Sequence, residues 1–373
     1  MKKTATLFSL LVILLSACGQ QQNKEEKELK EKIAQMLMVG FRGTELTPDN
    51  HIYNDIKDLK IGGVILFEYD APTKARPRNI ESEAQLTKLI ADMQAIANTK
   101  LLISIDQEGG KVNRLKETYG FPTTVSAQYL GELNNPDTTA LWAGRTAELL
   151  YRMGINLNFA PSVDIDVNPE NPIIGKIERS FSSDPQVVTD NARIWVTEHK
   201  KCGVINSLKH FPGHGSSKTD THLGLTDVTD NWTEAELAPY KALISEGLCD
   251  MVMTSHVFNA KLDPEYPATM SKTILTGILR EQLGYNGVIV TDDMAMGAIV
   301  EHYNFEEALE KTVNAGADIL ILSNNGKEYD PKVAEKAIDI IYRLADEGKI
   351  EKQTIENAYN RIISLKKTYA IQQ

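Results

Sequence analysis

Gly287-Val288-Ile289-Val290-Thr291-Asp292 is the stretch on which the fold turns. Val288, Ile289 and Val290 are consecutive apolar residues, so both faces of an extended strand here are greasy, and the run closes on a carboxylate. A strand apolar on both faces belongs to a parallel sheet covered by helices, because a half-exposed antiparallel strand alternates instead. Runs of the same kind recur at residues 63–67, 101–106, 155–163, 203–209, 250–256 and 317–323. Between them, apolar residues three and four apart predict helices over 83–97, 138–153, 187–200, 234–246, 305–315 and 330–347. Strand and helix alternating seven or eight times is an α/β architecture. Several strands end in polar residues: Asp106, Asp164, Lys209-His210, Ser255-His256, Asp292-Asp293 and Ser323-Asn324. A closed (β/α)8 barrel gathers such ends around one mouth, whereas an open doubly wound sheet strings them along an edge. The expected fold is therefore a TIM-type (β/α)8 barrel, and, because no linker or low-complexity stretch interrupts the chain from about Ile33 onward, a single domain without a second α/β domain.

Composition agrees with a folded body. The chain has 373 residues, 42% of them hydrophobic and 24% charged, enough apolar material for a real core. Forty Lys and Arg against 51 Asp and Glu give a formal charge of −11, which disfavours nucleic acid as a partner. The three cysteines, Cys18, Cys202 and Cys249, form no CxxC pair, which excludes a cysteine-type zinc site and a disulfide scaffold. Free thiols are the default for Cys202 and Cys249, with a disulfide left open by an oxidising compartment.

The N-terminus has a different character. Lys2-Lys3, an apolar stretch from Ala5 to Leu15 and the small residues Ser16-Ala17 before Cys18 have the layout of a signal peptide. The apolar stretch is shorter than the ~20 residues a membrane-spanning helix needs, and its end resembles a bacterial lipoprotein cleavage box. That resemblance implies cleavage after residue 17 and lipidation of Cys18. Residues 18–26 are then a tether, 27–373 the barrel domain, and a lipid anchor holds the protein to a membrane of the cell envelope outside the cytoplasm.

The densest chemistry lies at residues 209–222, Lys-His-Phe-Pro-Gly-His-Gly-Ser-Ser-Lys-Thr-Asp-Thr-His, where three of the seven histidines fall. Its glycines and small polar residues predict a long, mobile loop over the mouth. His210 and His214 are four apart, as in helical zinc motifs, but Pro212 and Gly213 oppose a helix there, so no metal is expected. Asp220 and His222 suit acid/base work instead, since an imidazole exchanges protons near neutrality and a carboxylate orients it. In Thr291-Asp292-Asp293 parity cannot choose which aspartate faces the mouth, and Asp293 is better read as a cap for the next helix. His256 is left open between core and site.

These residues carry a resemblance. KHFPGHG followed by Asp-Thr-His, with IDQEGGKVNR (105–114), NFAPSVDI (158–165), GKIERSF (175–181) and VTDDM (290–294), is similar to the β-N-acetylhexosaminidases of glycoside hydrolase family 3. The resemblance implies a retaining glycosidase on a (β/α)8 barrel, without a cofactor, acting on a carbohydrate with terminal N-acetylglucosamine. By position, Asp292 resembles the nucleophile, His222 the general acid/base and Asp220 its partner. Asp106, Arg114, Arg179, Lys209 and His210 match the positions that hold the sugar. Two departures are Lys111, where the family commonly has Arg, and Thr221, where it commonly has Ser. Peptidoglycan fragments or related amino-sugar glycans are the expected substrates. The alternatives are a phosphorylase of the same family, since a neutral histidine would not repel phosphate, and an envelope lipoprotein that only binds sugar.

Overall fold

The computed structural model describes residues 23–371. The expected signal peptide, Cys18 and most of the expected tether lie outside the described residues; 23–35 are helical, so this helix takes up the last four positions expected for the tether. The eight strands of the barrel follow, apart from a separate two-residue pair at Thr226–Asp227 and Val257–Phe258: β1 (Leu37–Gly40), β2 (Gly63–Ile65), β3 (Leu102–Ile105), β4 (Leu157–Asn158), β5 (Ile205–Phe211), β6 (Met251–Thr254), β7 (Val288–Asp293) and β8 (Ile319–Leu322). Each pairs in parallel with its neighbours in sequence, and β1 pairs with β8 to close the barrel. The expected barrel is thus the observed one. Among the described residues, no helix is long and apolar enough to cross a membrane.

Strand β1 is absent from the expected set. Leu-Met-Val-Gly is only four residues long and directly follows a helix ending at residue 35, so its apolar run reads equally as a last helical turn. The six expected helices are all present, at Glu83–Ile96, Pro136–Met153, Pro185–Lys201, Ala238–Ser245 with a 3-10 turn before it, Phe305–Ala315 and Val333–Asp346. Their ends obey local chemistry. Ser82 accepts from the Gln85 N–H, Asn135 from the Thr138 N–H and Asn304 from the Glu307 N–H, each satisfying a donor that the first turn cannot.

The strands work on both faces, as their composition demands. Val288 and Val290 join one apolar cluster with Met251, Met253 and Ile205, while Ile289 joins the other with Val252, Leu208 and Leu275. Successive side chains therefore point alternately into the barrel and out to the helices. Truncating a fully buried residue such as Ile289 to Ala costs about 2–5 kcal/mol, which is why both faces are kept apolar.

Candidate active site

Beyond the C-terminal strand ends lies a cavity of about 470 Å³. Asp106, Arg114, Arg179, Lys209, His210, Asp220, His222 and Asp292 all line it. They come from separate elements: Asp106 just after β3, Arg114 on the loop beyond it, Arg179 on the loop after β4, Lys209 and His210 in β5, Asp220 and His222 on the loop after β5, and Asp292 in β7. A larger hollow of about 880 Å³ sits between the loop after β1 and the start of helix Val333–Asp346, lined by Arg42, His51, Asp55 and Tyr329. None of the eight residues reaches it, and the barrel's strand ends converge on the smaller one.

A charged lattice forms the cavity wall. Lys209 Nζ donates to Asp106 Oδ1 at 2.7 Å and lies 2.6 Å from Glu108 Oε1. Arg179 donates through Nε and Nη2 to the two oxygens of Glu108 at 2.8 and 2.7 Å, a bidentate fork that fixes its plane. Burial pushes the Glu108 carboxyl up, but the Arg179 and Lys209 charges outweigh it and hold it well below the usual carboxylate range. Arg114 is held more loosely, 3.6 Å from Asp106 and 3.8 Å from Glu68, so its guanidinium retains donors for a ligand.

Asp164 organises the turn below. Its carboxylate accepts from His210 Nδ1 at 2.6 Å, the His214 N–H at 2.8 Å and Ser162 Oγ at 3.0 Å. Burial raises this carboxyl, yet His210 and the donors at His214 bring it down to about 2. Arg179 Nη2 donates to His210 Nε2 at 3.0 Å, which leaves the ring proton on Nδ1, facing Asp164. His214 Nδ1 and Nε2 lie 2.7 Å from Ser217 Oγ and 3.2 Å from Thr221 Oγ1. All four ring nitrogens of these two histidines are engaged within the protein, so the spacing that suggested zinc serves a hydrogen-bond scaffold.

The loop expected to be mobile is tied at its base. Residues 211–217 are buried, whereas Lys218, Thr219, His222 and Leu223 are exposed. At the tip, His222 Nδ1 lies 2.7 Å from Asp220 Oδ1, which also accepts the His222 N–H at 2.8 Å. Loss of surrounding water lowers the imidazole's proton affinity, but the Asp220 hydrogen bond and the Asp292 charge win, and its pKa rises above the ordinary value.

The structure separates the two aspartates of β7. Asp293 accepts from the Ser323 N–H, Ser323 Oγ and the Ala295 N–H, so its carboxyl is used up in tying β7 to β8 and capping the turn. Asp292 accepts one hydrogen bond among the described residues, from the Asp293 N–H at 2.8 Å to Oδ1. Burial raises it, but His256, His210 and His222 together hold it below the ordinary value, as an anion with a free oxygen. His256 proves to be fully buried, its Nε2 donating to the Asp293 carbonyl at 3.0 Å and its Nδ1 facing Thr269 Oγ1 at 2.8 Å. It supports the strand end from behind.

Sequence reasoning missed Glu108, Asp164 and His214 as site builders. Glu108 stands two residues after Asp106 in the same motif, but nothing local says that two cations will converge on it. Asp164 was visible as a polar strand end, but its two histidine partners lie 46 and 50 residues away, beyond reach of any local pattern. Cys202 and Cys249 are both free thiols.

The chain's relatives agree with this fold. Residues 28–365 match the family model described as the glycosyl hydrolase family 3 N-terminal domain. The chain is 33% identical over 303 residues to a beta-hexosaminidase of Nitrosomonas eutropha, covering 79% of this chain and 82% of that protein. It is 33% identical over 339 residues to beta-hexosaminidase A of Pseudoalteromonas piscicida, covering 83% of this chain and only 54% of the relative. Among solved structures, a family 3 beta-N-acetylglucosaminidase from Paenibacillus superposes with a TM-score of 0.82 at 35% identity, over 92% of this chain and 62% of that one. A beta-N-acetylhexosaminidase from Beutenbergia cavernae gives a TM-score of 0.78 at 28% identity, over 91% and 98% of the two chains. The chain thus spans about half to two thirds of some relatives and nearly all of others. With the barrel, the lattice at its mouth and a family model matched along almost its whole length, the chain belongs to glycosyl hydrolase family 3.

Proposed function

We propose that the protein is a retaining β-N-acetylhexosaminidase that removes terminal β-linked N-acetylglucosamine, with peptidoglycan fragments or related amino-sugar glycans as substrates. The observation that carries this reading is the Asp220–His222 pair at the tip of the β5 loop, lining the same cavity as an ionised Asp292 with a free oxygen. In the first step Asp292 attacks the anomeric carbon while His222 protonates the departing oxygen, giving a glycosyl-enzyme. In the second, His222 takes a proton from water, which displaces Asp292. Asp106, Arg114, Arg179, Lys209 and His210 hold the sugar, since donors and acceptors arriving from several strand ends can fix a pyranose by its hydroxyls. The names of the relatives support the acetamido sugar. The signal-like N-terminus supports a location in the cell envelope, lipid-anchored through Cys18.

The test is a comparison of substrates. The protein is expected to release the aryl group from p-nitrophenyl β-N-acetylglucosaminide and leave the β-glucoside intact, without added phosphate. Strong stimulation by phosphate, with release of sugar 1-phosphate, makes it a phosphorylase. Sugar binding without turnover leaves a binding lipoprotein. His222→Ala is expected to lose far more activity on a natural disaccharide than on a glycoside with a very good leaving group, and equal losses would remove the acid role.

A further inference from the structure

The tip that carries His222 rests on two consecutive residues of the segment after β7, Gly297 and Ala298. Ala298 N donates to the Thr221 carbonyl at 3.1 Å, so residues 220–224 lie against the short helix Gly297–Val300, four residues beyond Asp293. Gly297 has no need of glycine for its backbone, because it sits at the start of a right-handed helix. What it needs is space: a Cβ there would meet the His222 carbonyl oxygen at 2.7 Å, the Gly224 nitrogen at 3.1 Å and the Leu223 carbonyl carbon at 3.2 Å. All three are backbone atoms of the tip and cannot swing aside as a side chain would. On the far side, Thr221 Oγ1 meets His214 Nε2, and His214 is fixed by Asp164 through its N–H. The tip is therefore held between His214, which belongs to its own root, and Gly297, which belongs to the segment that presents Asp292.

We propose that Gly297 is a positioning residue: its missing side chain is the seat on which the 220–224 tip rests, and the seat sets the reach of His222 over the bond that Asp292 attacks. The inference rests on the acid/base role proposed above for His222. Nucleophile and acid must be placed relative to each other to within an ångström or so, and a misplacement of ~1 Å is worth on the order of 100-fold in rate. Locating the acid against the nucleophile's own segment shortens the structural path between them.

Gly297→Ala lifts the tip without touching Asp292, so its defect should have the signature of a misplaced acid. The expected result is a fall in kcat/KM of about 10–100-fold on an N-acetylglucosamine disaccharide and of less than about threefold on the 2,4-dinitrophenyl glycoside, whose leaving group needs no proton. Gly277→Ala, at a helix position with nothing within 4 Å of the added carbon, is the control and should match the parent on both substrates. Ala298→Pro removes the N–H that binds Thr221, a donor at the second helical position with no partner inside the helix, and should give the same leaving-group-dependent loss in milder form. Equal losses for Gly297→Ala on both substrates, with an unchanged melting temperature, overturn the proposal in favour of an effect on Asp292; no loss on either overturns it outright. If Gly297→Ala fails to fold, Ala298→Pro decides the matter by the same ratio. His222→Ala assayed alongside separates the two levels. Leaving-group dependence in His222→Ala but in neither seat variant sinks the seat alone, and its absence in His222→Ala sinks the acid role and the seat with it.

Discussion

Asp292 at the mouth and Asp318 at the floor are both aspartates at the ends of barrel strands, and they are treated in opposite ways. Asp318, just before β8, accepts from Arg280 at 2.6 Å, Arg361 at 2.8 Å and the Ile289 N–H at 2.8 Å. Asp292, late in β7, accepts one backbone N–H among the described residues and turns a free oxygen to the cavity. The pattern extends to their neighbours. At the floor, Lys366 is buried and donates to Gln35 Oε1 and the Gly62 carbonyl, both at 2.9 Å, and the Tyr285 hydroxyl shares its one proton between the Asp250 and Val288 carbonyls, 3.0 and 2.9 Å away. At the mouth, Arg114 has only long contacts to its carboxylates, and His222 is 61% exposed. Charge at the floor is saturated and serves the fold. At the mouth, beside the paired lattice of Lys209, Arg179 and Glu108, the charges of Asp292, Arg114 and His222 are left with spare valence and are available to a ligand.

That contrast predicts that variants at the two ends fail different assays. Asp292→Ala should lower kcat at least ~10⁴-fold while the melting temperature stays within a few degrees of the parent, because it removes the proposed nucleophile and a desolvated charge together. A variant that unfolds instead would place Asp292 with the floor residues. Asp318→Ala should do the reverse. It strands Arg280, Arg361 and a buried N–H, costs about 3–5 kcal/mol in denaturant unfolding, and leaves kcat/KM of the folded fraction within about threefold.

Proton affinity sharpens the comparison. Asp220 raises the pKa of His222, and a general acid must carry its proton, so kcat/KM falls as pH rises through that value. Asp220→Asn removes the raising charge. The alkaline limb of the pH profile should move to lower pH, with a loss of about tenfold near neutrality, and an unmoved limb would mean that another group titrates there. A second titration belongs to the floor. Burial pushes the Lys366 ammonium down to about 7, far below its unfolded value, so between pH 7 and 10 the unfolded chain binds more protons and stability rises with pH. Lys366→Met lacks this gain. The stability of the parent relative to the variant should therefore increase by up to about 2–3 kcal/mol across that window, visible as diverging melting temperatures, with activity unaffected.

How much of this was legible beforehand differs between strands and sites. Seven strands announced themselves through apolar runs, since burial on both faces leaves a mark on consecutive residues. Strand β1 left too short a mark beside a helix to be separated from it. The eight residues drawn from motifs all line one cavity because motifs record which side chains must be there. They do not record what holds those side chains. Asp164 and Glu108 do that through partners far along the chain, His214 through two hydroxyls of its own loop, and Gly297 does it by lacking a side chain, which no pattern of residue types advertises. Thr221, a departure from the family's usual Ser, keeps the hydroxyl that meets His214. The exchange thus preserves the atom that matters.

The closure of the barrel has a consequence in time. Leu37 in β1 pairs with Leu320 in β8, and the strands between them pair in sequence order. A ribosome adding ~5–20 residues per second needs on the order of 15–60 s to pass from one to the other. Throughout that interval the outer edge of β1 has no partner, and the wall of the cavity has a gap beside β7. The nascent chain can collapse locally, but it cannot acquire an enclosed mouth until the last strand is made. Until then it presents an open parallel edge to its surroundings, which makes its own synthesis the period of greatest exposure to aggregation.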